Sequence, residues 1–193
     1  MAGNPIIDTR TGLVLTARQQ PSPNFNARPQ ATVIDLLVIH GISLPPGEFG
    51  GPYIDQLFCN TLDCNTHAYF DGLRDLTVSA HLLIRRDGEL VQYVSLRDRA
   101  WHAGVSEFCG RSACNDFSIG IELEGSDDCP YTDAQYECLL PLCRAIMDSY
   151  PAITPERIVG HCDIAPGRKT DPGPAFDWDR LRAGLQDREG ACD

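Results

Sequence analysis

Two histidines stand where apolar runs end. Ile39-His40 closes the run IDLLVIH, Gly160-His161 closes RIVGH, and ten residues beyond His161 comes Asp171 in the Gly/Pro-rich loop APGRKTDPGP. Two imidazoles and one carboxylate, with a fourth position open, make a catalytic-type zinc site, because zinc favours nitrogen ligands and a single carboxylate still leaves it able to polarise water. Taken singly, each histidine reads equally as a satisfied core or surface residue, and only the conjunction points to a metal. Cys162 follows His161 directly and is a softer ligand type, but adjacent strand residues face opposite ways.

Glu122 sits in the apolar stretch FSIGIELE. A carboxylate there must be ion-paired, protonated or functional, and as a general base it would take a proton from a water on the metal. Glu124 lies on the same face by alternation, so the pattern does not separate the two. Fifteen of the sixteen basic residues are arginine, and the single lysine, Lys169, stands two residues before Asp171. A compact cation held there could stabilise the oxyanion of a tetrahedral intermediate. Trp101-His102 forms an aromatic-polar cluster suited to a sugar face, or equally to core packing. His81 and His67 read as structural.

The elements that must position these groups follow from the patterning. Residues 34–42 read as a buried central strand, and 52–59 as a short helix opened by Pro52. Residues 81–86 and 90–94 form a hairpin about Asp87-Gly88, and 117–124 another strand with Ile119 and Ile121 on one face and Glu122 on the other beside Gly120. Residues 132–150 are the longest helix, opened by a Thr132/Gln135 capping box, with Pro141 predicting a kink or a split. A turn of helix at Thr154-Pro155-Glu156, a strand over 157–161 ending on His161, and a helix over 177–185 capped by Asp177 complete the chain. This is a single α/β (α+β) domain, a mixed β-sheet flanked by helices. An extended N-terminal arm covers 1–30, the domain 31–187, and a tail 188–193.

Composition narrows the function class. A net charge of −11 repels phosphate backbones and anionic membranes, and no apolar run reaches the roughly 18 residues of a membrane span, so neither nucleic acid nor membrane is an expected partner. There is no basic segment followed by an export-type apolar core. Nine cysteines, an odd number without a C-x-x-C, read as free thiols in a reducing cytoplasm.

The segments PSPNFNARP (21–29), LLVIHGISLPPGEFGGP (36–52), VSAHLLIRRDGELVQYV (78–94), RAWHAGVS (99–106), CNDFSIGIELEGSD (114–127), YTDAQY (131–136) and above all GHCDIAPGRKTDPGPAFDW (160–178) resemble the type-2 N-acetylmuramoyl-L-alanine amidases of the peptidoglycan-recognition fold, and within them the 1,6-anhydro-N-acetylmuramyl-L-alanine amidases. The resemblance covers nearly the whole chain. It implies Zn2+ held by His40, His161 and Asp171, with Glu122 and Lys169 as the acid/base and oxyanion-stabilising pair. It implies hydrolysis of the lactyl-L-alanine amide of soluble anhydro-muropeptides in cytoplasmic peptidoglycan recycling, with an indirect role in β-lactamase induction, by a protein expected to be a monomer. The stem peptide is anionic, so basic side chains should meet it: Arg85, Arg86, Arg111 or Arg168, with Arg85 and Arg111 joining Trp101 and His102 as expected substrate contacts. The one departure is Gly41, where relatives carry Asn after the first ligand histidine. Two alternatives stay open, an amidase acting on intact cell wall and a peptidoglycan-binding module that does not catalyse.

Overall fold

The structure, a computed structural model, describes residues 5–186. The tail expected over 188–193 lies outside them. Along the first thirty residues, β1 (Ile7–Asp8) pairs antiparallel with β2 (Leu13–Val14), followed by β3 (Arg18–Gln19) and β4 (Phe25–Asn26). Then come β5 (Leu36–Ile42), α1 (Tyr53–Phe58), β6 (Leu82–Ile84), β7 (Leu90–Gln92), β8 (Arg99–Ala100), β9 (Glu107–Phe108), β10 (Arg111–Ser112) and β11 (Ser118–Glu124). The chain closes with α2 (Asp133–Ser149), β12 (Ile158–Gly160), α3 (His161–Ile164) and α4 (Trp178–Gln186).

Six strands form the central sheet in the order β12-β5-β11-β6-β7-β3. β12, β5, β11 and β6 run parallel, whereas β6 and β7 form the antiparallel hairpin read from Asp87-Gly88, with Gly88 at φ +87 in its turn. The mixed sheet flanked by helices is thus the observed architecture. β3 of the N-terminal segment adds an edge strand beside β7, and β4 pairs with β8.

Strand alternation sorts the residues between two faces. Leu37, Ile39, Leu82, Ile84, Ile119, Ile121 and Leu123 pack with Leu139, Leu142 and Ile146 of α2 and Leu181 and Leu185 of α4. The opposite face holds two smaller apolar clusters, one with Leu83, Val91, Phe58 and Phe70, the other with Leu36, Val38, Phe117 and Ile164. His40 of β5 and Ser118, Gly120, Glu122 and Glu124 of β11 share that second face, so the polar groups of the central strands are gathered on one side of the sheet.

α2, β5 and β12 differ from the sequence reading in ways that bear on the site. α2 runs unbroken through Pro141. A proline costs a helix about 3 kcal/mol, whereas burying a side chain such as Leu139, Leu142 or Ile146 returns about 1.5–3 kcal/mol each, so seating this face on the sheet outweighs the missing N–H. β5 begins at Leu36, two residues later than read, where its pairing with β11 starts at Ser118, and ends at Ile42 as read, opposite Glu124. β12 stops at Gly160, and His161 opens α3, since the Asp163 carboxylate accepts the Gly160 N–H at 2.7 Å and turns the chain into the helix.

Candidate metal and catalytic site

Parallel pairing sets His40 directly beside Glu122, and Gly160 beside Ile39, so the first residue after β12, His161, arrives next to His40. The loop that follows α3 returns Asp171, whose carbonyl accepts the Cys162 N–H at 3.0 Å. Three atoms then converge: His40 Nδ1 and His161 Nδ1 are 2.9 Å apart, and Asp171 Oδ2 lies 3.3 Å from the first and 3.1 Å from the second. Tetrahedral ligands at about 2.0–2.1 Å from a zinc ion stand roughly 3.3 Å from one another, so this group has the spacing of three corners of such a shell. Among the described residues it is the one His/Cys/Asp/Glu group with metal-binding geometry, and Cys162 is not part of it.

The protonation states suit ligation. Burial holds the His40 imidazole down to about 4, hence neutral. Burial works to raise the Asp171 carboxyl, but the adjoining His161 and His40 rings outweigh it and keep the group well below the ordinary carboxylate range. Neutral imidazoles and an ionised carboxylate are the forms a divalent cation takes up. The far side of each ring is also engaged: His161 Nε2 faces the Ala103 carbonyl at 3.2 Å, and His40 Nε2 faces His102 Nδ1 at 2.9 Å.

Glu122 is buried on the same face, and its Oε2 has no hydrogen-bond partner. Burial pushes its carboxyl well above the ordinary value, the Asp171 charge pushes further in the same direction, and the Lys169 ammonium opposes both. Lys169 is exposed in the loop before Asp171, close enough for its charge to act on His40 and Glu122 alike. Glu124 differs completely. It accepts the Gly50 N–H at 2.6 Å, the Arg86 N–H at 3.2 Å and Arg85 Nη1 at 3.4 Å, so it is saturated by its own structure.

The expected substrate contacts are more dispersed. Arg85 is buried, bonded to the Gly51 carbonyl at 2.9 Å and paired with Asp55 at 3.0 Å as well as with Glu124. Arg86 donates to the Pro130 carbonyl and lies over Phe49. Arg111 pairs with Asp35 at 2.7 Å and stacks over Phe117, while Arg168 donates to the Ala103 and Val105 carbonyls. Trp101 is half-buried and donates its indole N–H to Asn26 at 2.7 Å. His102 lies buried behind His40 with both ring nitrogens engaged, which leaves it no free polar atom for a ligand.

Two supports were not read from the sequence. The Tyr131 hydroxyl donates to the Pro172 carbonyl at 2.9 Å, anchoring the loop next to Asp171, and it fills the space a side chain at position 41 would need: an added Cβ there would lie 2.3 Å from that hydroxyl. Half-buried Arg28 reaches from the N-terminal segment to the carbonyls of Leu96, Arg97, Asn115, Asp116 and Ser118. Neither residue type nor spacing marks them, because both act on backbone brought close only by folding.

The sequence profile described as N-acetylmuramoyl-L-alanine amidase matches residues 29–174. The chain belongs to this family. Within it, the chain is 60% identical over 172 residues to the 1,6-anhydro-N-acetylmuramyl-L-alanine amidase AmpD of Citrobacter freundii, a match covering 89% of this chain and 91% of that one. The crystal structure of a selenomethionine derivative of AmpD superposes with a TM-score of 0.90 at 58% identity, covering 93% of this chain and 99% of the other. A second amidase, AmiD of Escherichia coli, was solved in complex with the substrate anhydro-N-acetylmuramic acid-L-Ala-D-γ-Glu-L-Lys. It aligns with a TM-score of 0.58 at 33% identity, covering 81% of this amidase chain and 60% of that one.

Proposed function

We propose that this chain is a zinc-dependent amidase that hydrolyses the bond between the lactyl group of a 1,6-anhydro-N-acetylmuramyl sugar and the first L-alanine of its stem peptide. The observation that carries the reading is the unpartnered, buried Glu122 carboxyl set beside His40 in a three-residue ligand group. The names of the relatives supply the substrate class. His40, His161 and Asp171 would hold a zinc ion, which would supply Lewis acidity for a water and for the amide carbonyl.

The chain's own residues do the rest. Glu122 takes the proton of the attacking water, and burial raises its affinity for that proton so that it keeps it between steps. The Lys169 ammonium faces the carbonyl oxygen as negative charge builds there. Glu122 then returns its proton to the alanine nitrogen as the C–N bond breaks. The proposal includes a role in cytoplasmic recycling of wall fragments, with its indirect effect on β-lactamase induction. Eight free cysteines among the described residues are consistent with a reducing compartment.

Mass spectrometry of the products from soluble anhydro-muramyl-tripeptide and from intact sacculi tests the substrate class. Free tripeptide released from the soluble fragment at a far higher rate is the expected result. Preferential release from sacculi would transfer the assignment to intact wall.

A further inference from the structure

We propose that the two-residue segment His102–Ala103 is a positioning device that sets the tautomer of both metal-ligand histidines, with Ser118 and Asn115 holding it in place; the proposal rests on the metal reading above.

The hydrogen bonds fix the protons in order. Ser118 Oγ lies 2.6 Å from the Cys114 carbonyl oxygen, and two oxygens that close need the hydroxyl proton between them. The Ser118 oxygen therefore offers only lone pairs to His102 Nε2, 3.1 Å away, and that nitrogen must be the N–H donor. In the neutral ring the other nitrogen, Nδ1, is then the acceptor, and it faces His40 Nε2 at 2.9 Å. His40 must carry its proton on Nε2, leaving the Nδ1 lone pair pointing at His161 and Asp171. The next residue does the same for the second ligand. The Ala103 carbonyl lies 3.2 Å from His161 Nε2, nearer than the Arg168 guanidinium at 3.4 Å, so it takes the Nε2 proton and His161 Nδ1 is bare as well.

The segment is built to hold still. Asn115 Oδ1 accepts both the His102 N–H at 3.1 Å and the Ala103 N–H at 2.8 Å. The His102 ring packs edge-on to His40, with centroids 5.0 Å apart, and lies on Gly120, where a Cβ would come within 2.6 Å of the ring. Gly120 thus has a packing reason of its own, the close approach of a ring to a strand.

Such partners behind a metal-bound imidazole typically govern affinity by about 10- to 100-fold. The test uses the full chain and zinc itself. Long-range 1H–15N spectra of the zinc-loaded protein should show His102 protonated on Nε2 and bare on Nδ1; a proton on Nδ1 would overturn the relay. Zinc affinity, measured by competition with a chromophoric chelator, should fall about 10- to 100-fold in His102→Leu and by less in His102→Asn, whose amide oxygen can replace the Nδ1 acceptor. If His102→Leu does not fold, Ser118→Ala carries the test, with a several-fold loss of affinity and a mixture of His102 tautomers expected. Wild-type affinity in His102→Leu, or in Ser118→Ala together with an unchanged His102 spectrum, would overturn the proposal. Failure of the wild-type protein to bind zinc would instead bring down the metal reading beneath it.

Discussion

Two carboxylates two residues apart on one strand face meet opposite fates. Glu124 receives two backbone N–H groups and a guanidinium, while Glu122 has a buried oxygen with no partner. Substitution should separate them. Glu122→Gln is expected to lower kcat on the order of a hundredfold or more with melting temperature and zinc binding near wild type. Glu124→Gln, which leaves buried Arg85 short of a partner, should cost about 3 kcal/mol or more of stability, read as a lower Tm. Loss of kcat with an unaltered Tm in Glu124→Gln would reverse the assignment. Period-2 alternation could not have made this distinction, because it gives both residues the same face and says nothing of what arrives opposite them. Gly41 offers a second residue-scale test. A Cβ there would lie 2.3 Å from the Tyr131 hydroxyl but 3.6 Å from Tyr131 Cζ, an ordinary contact. Gly41→Ala should therefore destabilise by about 1–3 kcal/mol in the wild type, and far less in a Tyr131→Phe background. Equal costs in denaturant titrations of the two backgrounds would show that the hydroxyl is not the obstacle.

At the scale of elements, β5, β11 and the hairpin of β6 and β7 were legible because continuous apolar runs, alternation and Asp87-Gly88 are local signals. The ligand set was legible for a related reason: His40 and His161 stand at or just past strand ends, and Asp171 shares a short loop with Lys169. The unbroken α2 was not legible, since proline's local cost is visible in a sequence and the tertiary seating that offsets it is not. Nor was the placement of His102, which depends on Gly120 leaving room across the sheet. These elements also enclose imidazoles that fold neutral. Burial holds His40 down to about 4 and His81 to about 3, with the Arg28 charge adding to the effect on His81, and burial keeps His102 well below its ordinary value. His81 Nδ1 accepts the Gly120 N–H at 2.9 Å, a bond that protonation would break. The unfolded chain takes these protons near pH 6.5, so it binds more protons than the folded state from there down to about 3. The stability of the metal-free protein should be fully present above about pH 6.5 and decline as pH falls through that window. The depressed Asp171 carboxyl adds a further loss below the ordinary carboxylate range. Urea midpoints at pH 7 and pH 5 check this, and equal midpoints would contradict it.

At the scale of the whole molecule, the N-terminal segment is tied to the site through Arg28, whose guanidinium bonds the Ser118 carbonyl at 2.8 Å and the Asn115 carbonyl at 3.1 Å, both from residues that steady His102. Arg28→Ala should cost about 3 kcal/mol or more, because several part-buried carbonyls lose their donor together. A Tm within a degree of wild type would show that the segment is only draped on the domain. The three ligand atoms come from β5, from the start of α3 and from the loop before α4, so a metal there ties together parts of the chain 131 residues apart, from His40 to Asp171. The most direct measurement of the central claim is hydrolysis of anhydro-muramyl-tripeptide by the protein as purified, after treatment with a chelator, and after zinc is added back. The expected result is loss of tripeptide release on chelation and its recovery with zinc. Release that persists undiminished in metal-stripped protein would contradict metal-dependent hydrolysis, and no release by the zinc-loaded protein would contradict amidase activity on this substrate.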